Sequence, residues 1–181
     1  MTISLCQIDD QISLLINAWC ELLVLSSCHR SVSCQPGLIR VSSHVCLSLE
    51  DAARHGIEKC VEKMLSFTQQ LRRLKVDQYE YVSMKLICLL TSGLQKRKRK
   101  KYLNIHLDAS GLKNPDAVRG CQEKVVHALQ EYTVTHYPEM PSKFGELLLR
   151  MPELSRVCQV SYILKRTMTR TQISQCDNIH H

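Results

Sequence analysis

Apolar residues recur every three or four positions along most of the chain, which is the spacing of one face of an α-helix. The first such segment runs from about Asp10 to about Arg30 and carries a wide apolar set: Ile12, Leu15, Ile16, Trp19, Leu22 and Leu23. A helix packed on one side needs a narrower stripe. We therefore expect this helix to be packed on more than one side, as in the middle layer of a helical sandwich.

Turn and cap residues divide the middle of the chain into short elements. The Pro36-Gly37 pair breaks the first segment, and the stretch from Leu38 to Leu47 predicts a short β-hairpin, the only strand pair expected. Ser48, followed three residues later by Asp51, predicts the start of a short helix that Gly56 can close.

Four longer helices are expected after this hairpin region. Apolar spacing predicts them over 57–74, from Asp77 to about Leu90, from Asn114 and over 143–160. Asn114 before Pro115 is a strong helix start, because proline at the first position loses no N–H that the helix needs. The last helix should continue through Pro152 with a kink.

The composition agrees with a helical domain. A chain of 181 residues fits one domain, its 44% of hydrophobic residues supply a core, and aromatic residues make up only 5%. Helix-forming residue types are plentiful, whereas glycine and proline are few. The predicted fold class is therefore all-α with one short β-hairpin.

The formal net charge of +7 is concentrated in one tract. Six positive charges belong to consecutive residues, so the remaining chain carries 7 − 6 = +1; these residues are Lys96, Arg97, Lys98, Arg99, Lys100 and Lys101. The tract lies in a long loop predicted over 93–113. A single basic run in a loop indicates a nuclear-import signal or a solvated tract, whereas a DNA-binding surface spreads its charge along helices.

The ten cysteines do not have the spacing of a metal site. None forms a C-x-x-C pair, and several lie on apolar helix faces, so we expect free thiols in a reducing compartment and no bound metal. The sequence also lacks a phosphate loop, a nucleophile elbow and a metal-binding helix motif, so neither enzyme activity nor a cofactor is expected. Asn17 and Glu21 interrupt the apolar stretch from Ile12 to Cys28, which argues against a membrane span.

The first helix resembles the signature of the nuclear receptor ligand-binding domain across that family's helices four and five. The residues that carry this resemblance are Asp10-Gln11, Leu14-Leu15, Trp19 and Glu21-Leu22-Leu23. Segments similar to the family's helices eight, nine and ten support it: Asp77 with Glu80-Tyr81 and Lys85, Asn114 to Val118 with Gln122-Glu123-Lys124, and Lys143 to Arg150 with Pro152. The resemblance implies a helical sandwich that regulates transcription in the nucleus.

Within the family, the chain is similar to germ cell nuclear factor, an orphan receptor known as a repressor, and its segment from Cys28 to Val32 resembles the retinoid X receptors. The resemblance implies that residues 1–160 are a partial ligand-binding domain, from about helix three or four to helix ten or eleven. It implies that 161–181 is an atypical polar tail without the activation helix. DNA contact is expected only through a zinc-finger domain absent from this chain.

The resemblance implies a lipophilic small-molecule ligand, with Trp19 and Arg30 as its contacts. An arginine at the end of an apolar helix can donate two hydrogen bonds to a carboxylate. The matching arginine of the retinoid X receptors binds the ligand's acid, so the resemblance implies an acidic lipophile or, in an orphan receptor, an internal anion. The residues alone leave alternatives open, because Trp19 can be a core anchor and Arg30 a solvated cation at a helix end.

The resemblance also assigns residues to protein contacts. Gln11, Ile12 and Leu15 match the wall of the family's coregulator groove, which implies that corepressor proteins bind there. Glu21 and Arg150 match a structural ion pair, although either residue can also be a plain surface charge.

The helix that starts near Lys143 matches the family's dimer interface. Its expected partner contacts, in a homodimer or a nuclear receptor heterodimer, are Phe144, Leu148, Leu149 and Leu154. A buried helix with two neighbours would show the same pattern. The alternative functions are a ligand-free helical interaction module and an interfering splice form that dimerises with a full-length receptor.

Overall fold

The computed structural model describes residues 7–94 and 112–158 and shows α-helices with one two-stranded hairpin. The elements in chain order are α1 (Ile8–Arg30), a 3-10 turn (Ser31–Ser33), β1 (Ile39–Arg40), β2 (Cys46–Leu47), α2 (Leu49–Arg54), α3 (Glu58–Arg73), α4 (Gln78–Leu94), α5 (Pro115–His136) and α6, which is helical from 143 to 158. The predicted all-α class with a single short hairpin is confirmed. The hairpin is antiparallel, and it pairs Ile39 with Leu47.

The core forms where the long helices meet. α1 packs against α3 and α4, and α4 packs against α5. The main cluster takes buried residues from α1, α3, α4, α5 and α6, among them Leu25, Phe67, Leu71, Met84, Leu129, Leu147 and Leu154. Burial in this cluster, together with the nearby Cys60 charge, raises the pKa of the Cys28 thiol to about 12, although a hydrogen bond with Thr68 opposes the rise. Cys28 therefore behaves as a small core residue, as predicted for the cysteines on apolar faces.

The helix starts predicted from cap residues are confirmed. The Ser48 side chain accepts a hydrogen bond from the Asp51 amide, and the Asp51 side chain accepts one from the Ser48 amide, which makes a complete capping box for α2. Asn114 accepts a hydrogen bond from the Ala117 amide at 3.0 Å and caps α5. Gly56 follows α2 with φ +66°, a left-handed conformation that glycine adopts without a steric cost.

The helix α4 is longer than predicted. It continues to Leu94, so the loop predicted from residue 93 begins later. The added turn packs closely on α1, because a Cβ atom added to Gly93 would lie 2.3 Å from Leu14 Cδ2. Gly93 is therefore a packing position of α4. Residues 95–111 of the predicted loop, with the basic tract, lie outside the described residues.

The end of α1 is held by a side chain of another helix. Arg72 of α3 donates hydrogen bonds of 2.7 to 2.8 Å to three backbone carbonyls, those of Ser31, Val32 and Cys34. Carbonyl groups at a helix C-terminus have no partner within the helix, and a cation suits the negative end of the helix dipole. Arg72 thus fixes the turn between α1 and the hairpin.

The start of α1 is held in a similar way. The buried carboxylate of Asp10 accepts hydrogen bonds from the backbone amides of Lys113 and Asn114, at 2.6 and 3.0 Å.

The segment Ile8–Ser33 is long and apolar enough to cross a bilayer by length and composition alone. Its buried Asp10 and Glu21 bond to protein groups, however, and its buried apolar side packs on α3 and α4, as in a core helix.

Candidate functional site

One side of α1 carries large apolar side chains that are about half exposed or more. We call this set the α1 outer stripe; it consists of Ile8, Ile12, Leu15, Trp19 and Leu23, which are 49 to 73% exposed. The opposite side of the same helix is buried through Leu14, Ala18, Leu25 and Cys28. The prediction that α1 is packed on more than one side is wrong for the described residues, because Ile12, Leu15, Trp19 and Leu23, on which it rested, lie on this exposed side. The stripe offers an extended apolar platform.

Trp19 lies in the middle of this stripe and is 59% exposed. Its interpretation as a core anchor is wrong for the described residues, because the helix turns this position away from α3 and α4 and buries Ala18 instead. The indole is accessible to a ligand or to another protein surface. The assignment of Trp19 to ligand binding stays a prediction.

The predicted coregulator residues lie together near the start of the stripe. Ile12 and Leu15 are half exposed, and Gln11 is partly exposed beside them. Two apolar side chains can contact the apolar face of an amphipathic helix. The neighbouring amide can donate a hydrogen bond at the edge of that contact. The structure therefore brings these three residues onto one face, and their role in coregulator binding stays a prediction.

Arg30 lies at the other end of α1, where it is exposed. Its Nη2 atom donates hydrogen bonds to Ser27 Oγ at 3.2 Å and to the Val41 carbonyl at 3.0 Å. The guanidinium therefore joins the helix end to the hairpin. A guanidinium has five N–H donors, so the group can still bind a carboxylate. Its role in ligand binding stays a prediction.

The ion pair predicted between Glu21 and Arg150 is not formed. Arg150 pairs instead with Glu153, one turn along α6, at 2.7 Å. Glu21 is buried and accepts a hydrogen bond from the Ser155 hydroxyl at 3.1 Å. Glu21 does connect α1 with α6, but the connecting group is a hydroxyl because Arg150 turns toward its nearer acidic neighbour.

The four predicted dimer contacts on α6 differ in their exposure. Leu149 is 66% exposed and points away from the core, as a partner contact requires. Phe144 and Leu148 are partly buried against the main cluster. Leu154 is fully buried within its own subunit, so its assignment to a dimer interface is wrong.

A shallow groove runs along α5. It is lined by Gln122, Glu123, Val126, His127 and Gln130.

A buried polar cluster at the start of α4 was not predicted. Asp77 and Glu80 form reciprocal hydrogen bonds with each other's backbone amides, at 2.8 and 3.0 Å. The Lys143 ammonium lies 2.9 Å from Glu80 Oε1 and 3.2 Å from the centre of the Tyr137 ring. Tyr132 and Tyr137 both donate their hydroxyl protons to Asp77 Oδ2, at 2.8 and 2.6 Å.

The pKa values of the two carboxyl groups in this polar cluster are shifted in opposite directions. Burial raises the pKa of Glu80, and the Lys143 ion pair opposes the rise without cancelling it. Burial also acts to raise the pKa of Asp77, but hydrogen bonds from Tyr137, the Glu80 amide and Tyr132 outweigh it, and the pKa lies below its ordinary value. The cluster joins α4, α5 and α6; Glu80 and Lys143 are buried, whereas Asp77, Tyr132 and Tyr137 are partly exposed. The Asp77–Glu80 spacing is a local capping motif that sequence reasoning could have used.

Among residues 7–94 and 112–158, no group of three or more metal-ligating side chains comes together. The site that these residues do offer is a pair of surfaces: the α1 outer stripe, ending near Arg30, and the exposed side of α6 at Leu149. Neither surface brings a nucleophile and a base together.

Residues 3–162 match the family model of the ligand-binding domain of nuclear hormone receptor. The chain therefore belongs to this family. It is 35% identical over 156 residues to nuclear receptor subfamily 5 group A member 2 of Mus musculus, and 35% identical over 158 residues to the protein of the same name from Rattus norvegicus. Each match covers 83% of this chain and 25% of the relative. The chain thus spans about a quarter of the length of these curated relatives.

Proposed function

We propose that this chain is the ligand-binding and dimerisation portion of a nuclear receptor transcription factor that acts as an orphan repressor similar to germ cell nuclear factor. The family match over residues 3–162 is the observation that carries the proposal. The helical fold and the contact surfaces of α1 and α6 support it, because regulation by binding requires surfaces and no reacting groups. Its proposed location is the nucleus.

The proposed ligand is a lipophilic small molecule that lies along Trp19 and places an acidic group near Arg30. Support comes from the exposed indole and from the guanidinium at the end of the same helix. The alternative is a helical interaction module without a ligand. Denaturing mass spectrometry of purified protein separates the two functions, because only the first is expected to release a co-purified lipophile.

The proposed protein partners use separate surfaces. Corepressors would contact Gln11, Ile12 and Leu15, and a second receptor subunit would contact α6 through Leu149, in a homodimer or a nuclear receptor heterodimer. DNA would be bound through a zinc-finger domain, which these 181 residues do not contain. A chain that dimerises with a full-length receptor would form a complex with one DNA-binding domain, which is how an interfering splice form would act.

The dimerisation is tested by co-expressing the tagged chain with a full-length nuclear receptor and measuring capture. Leu149→Arg places a charge at the centre of the proposed contact and should reduce capture at least tenfold, because central contacts dominate interface energies. Val45→Arg, which adds the same charge to an exposed apolar residue of the hairpin, is the matched control and should capture normally. Equal capture by the wild type and the Leu149 variant contradicts this interface, and so does no capture by the wild type.

A further inference from the structure

Three aromatic rings form a stack where α4 meets α5. The Tyr79 ring of α4 and the Tyr132 ring of α5 have centres 4.1 Å apart and planes that differ by 22°. His136, one turn further along α5, stacks on Tyr132 at the same spacing, with planes that differ by 21°. A planar ring has two faces, so Tyr79 and His136 enclose Tyr132 between them. Tyr79 is 45% exposed, and two phenols from different helices are therefore in contact at the surface.

The hydroxyl of Tyr132 has a proton acceptor beside it. It donates a hydrogen bond to Asp77 Oδ2 at 2.8 Å, and the Asp77 carboxyl is ionised near neutral pH because its pKa lies below its ordinary value. A phenol that loses an electron becomes a strong acid, and a carboxylate within hydrogen-bond distance can take its proton in the same step. The contact with Asp77 therefore favours one-electron oxidation of Tyr132 to a neutral phenoxyl radical. Tyr79, which is exposed, can release its proton to water.

The neighbouring Tyr137 is less well placed to react with Tyr132. The two ring centres are 6.4 Å apart, and the rings meet edge to face at 65°. The Lys143 ammonium lies 3.2 Å from the centre of the Tyr137 ring, and a positive charge at that distance opposes the loss of an electron from the ring. Tyr79 is therefore the tyrosine placed to react with Tyr132.

We propose that Tyr79 and Tyr132 are a site of oxidative modification, at which one-electron oxidants such as the carbonate radical join the two rings as dityrosine. Each of two oxidant molecules takes one electron, and each phenol releases one proton, which leaves two phenoxyl radicals. A carbon–carbon bond then forms between the ring carbons next to the two oxygen-bearing carbons. The hydrogen atom on each bonded carbon moves to the phenol oxygen, which restores both aromatic rings. The product has lost two hydrogen atoms and has gained a covalent link between α4 and α5.

The link would hold the start of α4 against the end of α5. Tyr79 is the second residue of α4, and its exposed side chain can turn toward Tyr132 without disturbing the core. A cross-link restricts mainly the unfolded chain, so the modified protein should unfold at a higher urea concentration than the unmodified protein. The site uses no residue of the α1 outer stripe and does not include Leu149. It therefore acts in addition to the ligand and partner surfaces proposed above.

The full chain, dilute enough to limit collisions between molecules, is oxidised with photogenerated tris-bipyridine ruthenium(III), a one-electron oxidant. The monomer fraction should gain dityrosine fluorescence. Mass spectrometry of its peptides should find the segments that contain Tyr79 and Tyr132 joined, with the loss of two hydrogen atoms. Tyr79→Phe keeps a stacked ring but cannot form the phenoxyl radical, so the link should be lost. Tyr81→Phe, the matched control two residues further along α4, should keep the link. Asp77→Asn replaces the carboxylate with a weaker base and should slow the formation of the link.

Dityrosine of equal yield in Tyr79→Phe overturns this inference, and so does a link from Tyr132 to Tyr81 or Tyr137 in place of Tyr79. Dityrosine that occurs only in covalent dimers overturns it as well, because such links come from collisions between molecules. A wild type without dityrosine, under illumination that couples free tyrosine, has the same meaning. An unchanged rate in Asp77→Asn, with helix content shown to be equal by circular dichroism, contradicts the role of Asp77 as the proton acceptor.

Discussion

The Lys143 ammonium lies 2.9 Å from the Glu80 carboxylate, and neither side chain is exposed to solvent. This ion pair joins the first turn of α4 to the first turn of α6, and Tyr137 covers the ammonium with its ring. Charges enclosed in this way are costly unless both partners are present. The pair therefore makes the position of α6 depend on α4.

Removal of one partner should be strongly destabilising. Lys143→Met leaves the Glu80 carboxylate buried without its cation, and the free energy of unfolding should fall by about 3–5 kcal/mol. Urea denaturation followed by circular dichroism measures this loss. The double variant with Glu80→Gln removes the uncompensated charge and should recover part of it. A double variant no more stable than Lys143→Met alone contradicts the assignment of the loss to that charge.

Arg72 should be difficult to replace even by lysine. Its guanidinium bonds to the carbonyls of Ser31, Val32 and Cys34, and a single ammonium cannot reproduce that fork. Arg72→Lys should lower the free energy of unfolding by about 2 kcal/mol. Arg73→Lys is the control, because Arg73 pairs with Glu146 at the surface and should lose less than about 0.5 kcal/mol. Equal losses in chemical denaturation would be inconsistent with this role of Arg72.

Two helical glycines should respond to alanine with opposite signs. Gly93→Ala forces a methyl group against Leu14, whose side chain is buried and cannot yield, and should cost about 1–3 kcal/mol. Gly120→Ala meets nothing within 4 Å and should stabilise α5 by roughly 0.5–1 kcal/mol. Thermal unfolding of both variants measures the difference. A stabilising Gly93→Ala would mean that α1 and α4 are not this close.

Stability should depend on the protonation of His29. Its ring stacks on Tyr81 with centres 3.8 Å apart, and burial together with the nearby Lys85 charge lowers its pKa from 6.5. The unfolded chain binds the proton more readily than the folded chain. The free energy of unfolding should therefore decrease as the pH falls from about 6.5 through the lowered pKa, and it should be insensitive to His29 at higher pH.

Comparison of variants separates the contribution of His29 to the pH dependence of the free energy of unfolding. His29→Phe keeps an aromatic ring against Tyr81 and removes the titrating group, so urea unfolding at about pH 7.5 and about pH 5.0 should show a smaller decrease than in the wild type. His127→Gln, at an exposed position of α5, should leave the decrease unchanged. An unchanged decrease in His29→Phe would assign it to other groups.

The basic tract is predicted to direct nuclear import. Replacing the six residues from Lys96 to Lys101 with neutral residues should move a fusion, made large enough to prevent passive entry, from nucleus to cytoplasm. Fluorescence microscopy measures the distribution. Substitution of two or three basic residues elsewhere, such as Lys59 and Lys63 on α3, serves as the control. Nuclear fluorescence that survives the change in the tract means that these residues are a solvated loop.

Local chemistry made several elements predictable from the sequence. Ser48 with Asp51 and Asn114 with Pro115 determine helix starts through groups only a few residues apart, and both starts are confirmed. The two faces of α1 could not be separated in this way. Leu14 and Ala18 recur at the same spacing as Leu15 and Trp19, and only the positions of α3 and α4 decide which set is buried.

The pairing of charged residues could not be predicted from the sequence either. Glu80 and Lys143 are far apart in sequence and have no local signal that links them, whereas Arg150 has Glu153 within one turn of its own helix. The family resemblance implied that Glu21 pairs with Arg150, but the distances between side chains in the fold decide the pairing. Leu154 likewise followed the apolar pattern of α6, and its burial depends on the residues from the other helices that surround it.

The hydrogen bonds of Asp10 have a consequence for synthesis. A ribosome makes α1 before α5, yet the amides that Asp10 accepts from lie 103 and 104 residues further along the chain. At about 5–20 residues per second, the first turn of α1 waits on the order of 5–20 s for its partners to be made. During that interval the Asp10 carboxylate bonds to water, and the apolar residues around it have no cover from α5. The first turn of α1 therefore gains these two hydrogen bonds only after Asn114 has been made.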